Sequence, residues 1–130
     1  MNRKIFFIIA GVLPILFGLT MIFNPRQMLD MVAIETNLST GVVLQWMGCP
    51  LISIGVLNFL ARNAEDSEAL RAIMLANILT HVLGMGVDVY DYGSHFVKIS
   101  GLVLGAVIHI ALGGGFAFFL LRSGKAERPA

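Results

Sequence analysis

Three long runs of the chain contain no lysine, arginine, aspartate or glutamate, and these runs limit the possible folds most strongly. They cover residues 5–23, 41–60 and 99–121, and a slightly shorter fourth run covers residues 72–87. A helix needs about 20 apolar residues to cross a hydrocarbon core about 30 Å thick. A soluble helical bundle would instead carry charges every three or four residues along its outer faces. The runs therefore predict four transmembrane helices.

The composition agrees with a membrane protein. Of the 130 residues, 57% are hydrophobic and 13% are charged, whereas soluble proteins carry about 25% charged residues. The first run is longer than the ~7–15 apolar residues of a signal peptide and lacks a following cleavage site, so we interpret it as a retained helix. We predict one all-α transmembrane domain over residues 1–130, with spans at about residues 5–23, 41–60, 70–90 and 98–121.

The basic residues are divided unequally between the two sides of the predicted bundle. One side holds only Arg26 and Lys98. The other side holds seven basic residues: Arg3, Lys4, Arg62, Arg71, Arg122, Lys125 and Arg128. Because lysine and arginine are enriched in cytoplasmic loops, we predict that both termini are cytoplasmic, an N-in and C-in orientation.

The first connection has the pattern of a short amphipathic helix. Asn24 and Gln27 suit its capping positions, and Pro25 suits its first turn. The apolar residues of this segment share one side, and its charged residues lie elsewhere: Met28, Leu29 and Val32 against Arg26, Asp30 and Glu35. The segment is either a short helix lying on the outer membrane surface or an ordinary ordered loop.

Two further expectations concern the side of the bundle that holds the termini. We expect the third helix to begin ahead of its apolar run, with Asn63 as its cap and acidic residues in its first turns. Asn58 lies near the end of the second span, and we interpret it as a polar end group. The tail, residues 123–130, is short and polar, and we expect it to be disordered.

Polar residues recur on one face of the third span. Asn77, His81, Gly84 and Asp88 follow one another at spacings of four, three and four, so a helix places them on the same side. Polar groups at membrane depth are costly, and each requires a partner or a function. We therefore expect this face of the third span to point into the bundle, and we call its polar residues, together with His109 of the fourth span, the polar seam.

The fourth span carries His109 within a stripe of glycines, Gly101, Gly105 and Gly113, which allows close helix packing. The turn between the last two spans is centred near residues 93–95. His81 lies about 13 residues before this centre and His109 about 14 after it, so at a rise of about 1.5 Å per residue both reach about 20 Å from the turn. We predict that the two imidazoles face each other.

Several interpretations of this seam are open. In the simplest, His81 and His109 are structural and hydrogen-bond each other, Asn77 or backbone carbonyls. Alternatively, both imidazoles are axial ligands of a haem or another tetrapyrrole pigment, or they bind a quinone or lipid headgroup together with Asp88. No catalytic motif and no metal-ligand spacing is present, so we predict a protein that is not an enzyme.

Asp88 and Gln45 are both predicted to lie near the outer membrane boundary. Asp88 either extends to the membrane interface or accepts hydrogen bonds from nearby tyrosines or Gln45; alternatively it binds a proton or cation in a relay with His81 and His95. Gln45 lies level with Asp88 and is a candidate member of the same polar cluster. The sequence thus nominates five site residues, of which Asn77 and Gln45 are the peripheral ones: His81, His109, Asp88, Asn77 and Gln45.

The order of these features resembles a known group of proteins. An apolar first helix ends in Asn24-Pro25, the second carries Gly48 and Gly55, the third carries His81 with Gly84, and the fourth Gly105 with His109. This order resembles the small four-helix bacterial membrane proteins of the DoxX-like group, which includes families of unknown function. The resemblance implies a four-helix bundle in a bacterial inner membrane. Some DoxX-type proteins are associated with quinone-linked sulfur oxidation. This chain has no motif by which their functional residues could be assigned to its positions.

The predicted function follows from the small size, the short loops and the lack of a catalytic domain. We expect a non-enzymatic accessory or structural subunit that packs against other membrane proteins or against itself, surrounded by the lipid bilayer. A net charge of +1 without a basic patch indicates no nucleic-acid partner. Two alternatives are a haem, pigment or quinone binder at His81 and His109, and a small transporter that works as a dimer.

Overall fold

The computed structural model describes residues 2–32 and 38–123 as an all-helical protein. Its helices are α1 (Arg3–Phe23), α2 (Pro25–Val32), α3 (Leu38–Ala61), α4 (Glu68–Gly93) and α5 (Ile99–Ser123). The four helices other than α2 are long and apolar enough to cross a membrane. The predicted all-α fold with four spans is therefore confirmed, and the chain is a multi-pass membrane protein.

Side-chain caps fix where α1 and α4 begin. Asn2 accepts a hydrogen bond from the backbone N–H of Lys4 at the start of α1. Ser67 has extended backbone angles and accepts from the backbone N–H of Leu70 over 3.2 Å at the start of α4. The expectation that Asn63 caps this helix is wrong, because Ser67 lies next to the helix and satisfies its first free N–H groups.

The first connection forms a helix, α2, rather than an ordered loop. Asn24 Nδ2 donates to Gln27 Oε1 over 2.8 Å across its first turn. Met28 and Leu29 are buried because this side of α2 packs against α1, α3 and α5. The apolar side of α2 thus packs on the helix bundle. We call this end of the molecule the α2 end. The predictions for the Val32 side chain, for Glu35 and for the tail beyond Ser123 lie outside the described residues.

The long helices form two antiparallel pairs, α1 with α3 and α4 with α5. Glycines bring α1 and α3 together. A Cβ atom on Gly18 would lie 2.7 Å from the carbonyl oxygen of Gly48, and one on Gly55 would lie 2.6 Å from that of Gly11. Residues without a side chain let two membrane helices approach closely, which increases their van der Waals contact.

The two pairs meet in an aromatic core at the opposite end of the bundle, which we call the terminal end. The rings of Phe6 and Phe116 pack edge to face with their centroids 4.8 Å apart. The remaining core residues come from all four long helices: Phe7, Ala10, Ala61, Leu70, Met74, Leu112 and Phe119. Arg3 pairs with Asp66 and donates to the carbonyl oxygen of Ala64 over 2.8 Å, which closes this end.

The outer faces of the four long helices are apolar. Large hydrophobic side chains on each of them are more than half exposed, among them Leu16, Val43, Leu79 and Val107. A continuous apolar surface of this extent is unfavourable in water. It is the surface expected of helices that contact lipid.

Candidate functional site

His81 on α4 and His109 on α5 contact each other directly between the two helices. Their Nδ1 atoms are 3.0 Å apart, and the ring planes are tilted by 58°. Such a contact requires that one Nδ1 carries the proton and the other accepts it. The matching depth that the turn length predicts for these two residues is present in the structure.

Glycines provide the space for these side chains. A Cβ atom on Gly84 would lie 2.5 Å from His109 Cε1, and one on Gly113 would lie 3.0 Å from His81 Cβ. A Cβ on Gly105 would collide with the carboxylate of Asp88. Gly84, Gly105 and Gly113 therefore leave room for polar side chains between α4 and α5, and each of the three faces one of His109, Asp88 and His81.

Asp88 extends the histidine pair into a line of three groups. Its Oδ2 atom lies 3.5 Å from His109 Nε2, is buried and has no hydrogen-bond partner in the described part of the chain. His109 thus stands between Asp88 and His81. The predicted relay of His81, Asp88 and His95 is wrong in its last member, because His95 lies exposed in the turn after α4 with a φ of 61°.

Asn77 does not join this line but pairs with Asn58 of α3. The two amides exchange hydrogen bonds of 2.9 Å in both directions, and Asn58 also donates to the carbonyl oxygen of Ala10. Asn77 Nδ2 makes a second bond to the carbonyl oxygen of Ile73. Both N–H donors of Asn77 are therefore used within the protein. The interpretation of Asn58 as an end group is wrong, since its side chain is 1% exposed.

Gln45 also bonds within the protein and makes no hydrogen bond to Asp88 Oδ2. Its Nε2 donates to the carbonyl oxygen of Ile22 over 2.9 Å and so joins α3 to the end of α1. Of the five residues nominated from the sequence, the structure therefore brings three together: His81, His109 and Asp88. Asn77 and Gln45 each connect two helices.

A cavity of about 300 Å³ lies between the two helix pairs, on the α2 side of the aromatic core. Met28 of α2 borders it, as do apolar residues of three long helices: Leu13, Pro14, Phe17, Met21, Leu44, Leu51, Leu104, Ile108 and Leu112. Its polar lining comes from α4 and α5 alone: Thr80, His81, Asp88 and His109. The cavity is thus apolar except for one wall that can form hydrogen bonds.

The histidine pair also borders an apolar groove of about 390 Å³ at the surface of α4 and α5. Val82 and Ile110, which flank this groove, are more than half exposed. His81 and His109 therefore contact both the interior cavity and the lipid-facing surface, and a lipid-soluble molecule could approach them from the bilayer.

The geometry of the pair does not fit a haem or pigment held between the two rings. A metal ion with coordinate bonds of about 2 Å would hold two ligand nitrogens about 4 Å apart. The Nδ1 atoms are 3.0 Å apart, and Gly84 and Gly113 keep the helices close. A macrocycle between them would require α4 and α5 to separate.

The site thus combines a line of hydrogen-bonding groups, Asp88, His109 and His81, with an adjacent apolar cavity. In the described part of the chain, His81 Nε2 has no protein partner, so the line ends in a free ring nitrogen at a residue that borders the cavity. This arrangement suits a neutral molecule with one polar atom. Comparisons with protein-family models, with curated proteins and with solved structures found no match to this chain.

Proposed function

We propose that this membrane protein binds a lipid-soluble molecule, with its apolar body in the cavity and a polar oxygen against the histidine pair. The observation that carries the proposal is the placement of the line from Asp88 to His81 on one wall of an otherwise apolar cavity. Apolar pockets with a few convergent polar groups are typical of small-molecule sites.

The size of the cavity suggests the class of ligand. An engineered apolar cavity of about 150 Å³ in another protein binds benzene, and this cavity has about 300 Å³. It therefore has room for about two fused six-membered rings. A bicyclic quinone, or the corresponding hydroxylated compound, combines such a body with oxygens that hydrogen-bond to imidazole. This favours the quinone alternative over the haem and pigment alternatives.

The proposal is tested by measuring the binding of naphthol to the purified protein in lipid nanodiscs. Leu51→Trp fills the cavity, and we expect it to abolish binding. Leu57→Trp places the same side chain on the lipid-facing side of α3 and serves as the matched control, with binding unchanged. His81→Ala removes one hydrogen bond and should weaken binding about tenfold. Equal binding by both tryptophan variants would place the ligand elsewhere and refute the proposal.

A second candidate function is that of an accessory subunit in a larger membrane assembly. In the described residues the α3–α4 and α4–α5 connections are short and α2 packs on the bundle, so most of the exposed surface there belongs to the membrane-spanning helices. A protein of this form acts through contacts within the bilayer. Purification from native membranes in mild detergent should yield a complex with another membrane protein, and a single isolated species would count against this function.

We also propose that the protein resides in a bacterial inner membrane with both termini in the cytoplasm. The DoxX-like resemblance and the unequal distribution of basic residues support this location. The dimeric transporter alternative receives less support. The terminal end is filled by the aromatic core and the Asn58–Asn77 pair, which leave no continuation of the cavity toward that side in the described residues.

A further inference from the structure

Asp88, His109 and His81 contact one another in sequence. The protonation state of Asp88 therefore determines which ring nitrogen of each histidine carries its proton. His109 uses both ring nitrogens, Nε2 toward Asp88 and Nδ1 toward His81. His81 uses only Nδ1, and its Nε2 has no protein partner in the described residues. A neutral imidazole carries one N–H and one bare nitrogen, so fixing either nitrogen fixes the other.

When Asp88 is ionised, its carboxylate favours an N–H at the facing Nε2 of His109, because a bare nitrogen there would oppose a negative charge. His109 Nδ1 is then bare and accepts a hydrogen bond from His81 Nδ1–H. The proton of neutral His81 is thereby placed on Nδ1. His81 Nε2 is consequently bare and acts as a hydrogen-bond acceptor.

When Asp88 takes up one proton, the arrangement reverses. The carboxyl O–H faces a bare His109 Nε2, the His109 proton moves to Nδ1, and His81 Nδ1 becomes the acceptor. The His81 proton then lies on Nε2, which acts as a donor. Before the change the three groups hold two exchangeable protons and afterwards three, so the net reaction is the uptake of one proton.

We propose that this line selects the ligand by its hydrogen-bonding type, favouring a hydroxylated bicyclic molecule over its keto counterpart when Asp88 is ionised and accepting either one when Asp88 is protonated. The inference rests on the proposed function and specifies its chemistry. No titratable side chain of α1, α2 or α3 lines the cavity in the described residues, and Asp91, further along α4, is the other carboxylate that acts on Asp88. A pair such as a hydroquinone and its quinone would be distinguished in this way.

The test compares two probes of matched size in nanodiscs at about pH 5 and about pH 8, which bracket the range in which a carboxylate beside imidazoles should take up a proton. Naphthol supplies a hydroxyl donor, whereas tetralone offers only a carbonyl acceptor. We expect the wild type to prefer naphthol about tenfold at the higher pH, where tetralone loses its hydrogen bond, and to lose this preference at the lower pH, where the oxygen of either probe accepts from His81. Asp88→Asn removes the titrating group and should give the same preference at both pH values.

Two further variants keep the result interpretable. Asp91→Asn removes the neighbouring carboxylate and should retain the pH-dependent preference, and Asp88→Glu should also retain it because it keeps an ionisable carboxyl group. A wild-type preference that does not change with pH, or a change that persists in Asp88→Asn, overturns the inference while leaving ligand binding intact. Failure of both probes to bind at either pH instead refutes the proposed function.

Discussion

Asn58 and Asn77 are the most completely buried polar pair of the described residues. Their side-chain amides exchange hydrogen bonds in both directions and so join the two helix pairs. Asn58 also donates to the backbone carbonyl of Ala10, and Asn77 to that of Ile73. Satisfying one amide with another leaves no free polar group at a depth where an unpaired one is costly. If only one of the two were lost, its partner would keep its bond to a backbone carbonyl but would bury an unpaired amide oxygen and an unpaired N–H.

A double-mutant cycle on this pair tests the cost directly. Asn58→Leu and Asn77→Leu should each lower the free energy of unfolding by about 1–3 kcal/mol, because each leaves the oxygen and one N–H of the other amide unpaired. The double variant should lose less than the sum of the two, since it leaves no unpaired amide. Unfolding in nanodiscs or mixed micelles measures all four proteins. Strictly additive losses would mean that the two side chains do not depend on each other.

Gly105 determines the position of Asp88, because a Cβ atom there would meet the carboxylate. Gly105→Ala should therefore displace Asp88 from His109 and remove the pH dependence of probe binding. Gly86→Ala on α4 is the control, since a Cβ at Gly86 meets no atom within 4 Å. The control should bind both probes as the wild type does. Unchanged binding in Gly105→Ala would show that Asp88 is free to move without consequence.

The sequence predicts part of this site at residue level. The depth of His81 and His109 follows from counting residues away from one short turn, which connects adjacent helices. Asn58 and Asn77 lie on α3 and α4, which are joined by a short turn but do not pack as a pair, so counting residues from that turn does not predict their contact. The choice of His109 rather than His95 beside Asp88 depends on side-chain direction, which residue spacing alone does not give.

At the level of elements, the pairing of α1 with α3 depends on glycines at matching heights. Gly11 and Gly18 on α1 are seven residues apart, as are Gly48 and Gly55 on α3, and the backbone contacts join them in antiparallel order. Spacing by seven keeps residues on one helix face. The matching glycine spacing in the sequence therefore indicates that α1 and α3 are in contact, although α2 and the segment after it separate the two helices along the chain.

Substituting one of these glycines should weaken the α1–α3 pair. Gly48→Ala inserts a methyl group against the Gly18 carbonyl oxygen, and we expect it to reduce the free energy of unfolding by about 1–3 kcal/mol. Gly41→Ala on the same helix places its Cβ in open space. It should be neutral or slightly stabilising, because alanine favours helix over glycine. Equal stability of the two variants would show that close backbone contact is not what holds these helices.

The whole molecule consists of two helix pairs that are closed at one end and separated by a cavity toward the other. The aromatic core and the Arg3–Asp66 contact join the pairs at the terminal end. At the α2 end, Met28 and Leu29 cover the bundle, and Met28 borders the cavity. Hydropathy predicts the four spans, but the division into pairs depends on packing details that a single sequence does not report.

The orientation of this asymmetric molecule decides which side of the membrane faces α2, and the basic residues predict it. With seven basic residues on the side of the termini and two on the other, the terminal end should face the cytoplasm. Cys49 is the single cysteine, so Cys49→Ser gives a background for labelling. In intact cells a membrane-impermeant maleimide should label Ser94→Cys, in the turn after α4, and spare Asn63→Cys, in the turn before it, until the cells are lysed. The reverse labelling pattern would place α2 and the cavity on the cytoplasmic side and show that the charge distribution does not set the topology.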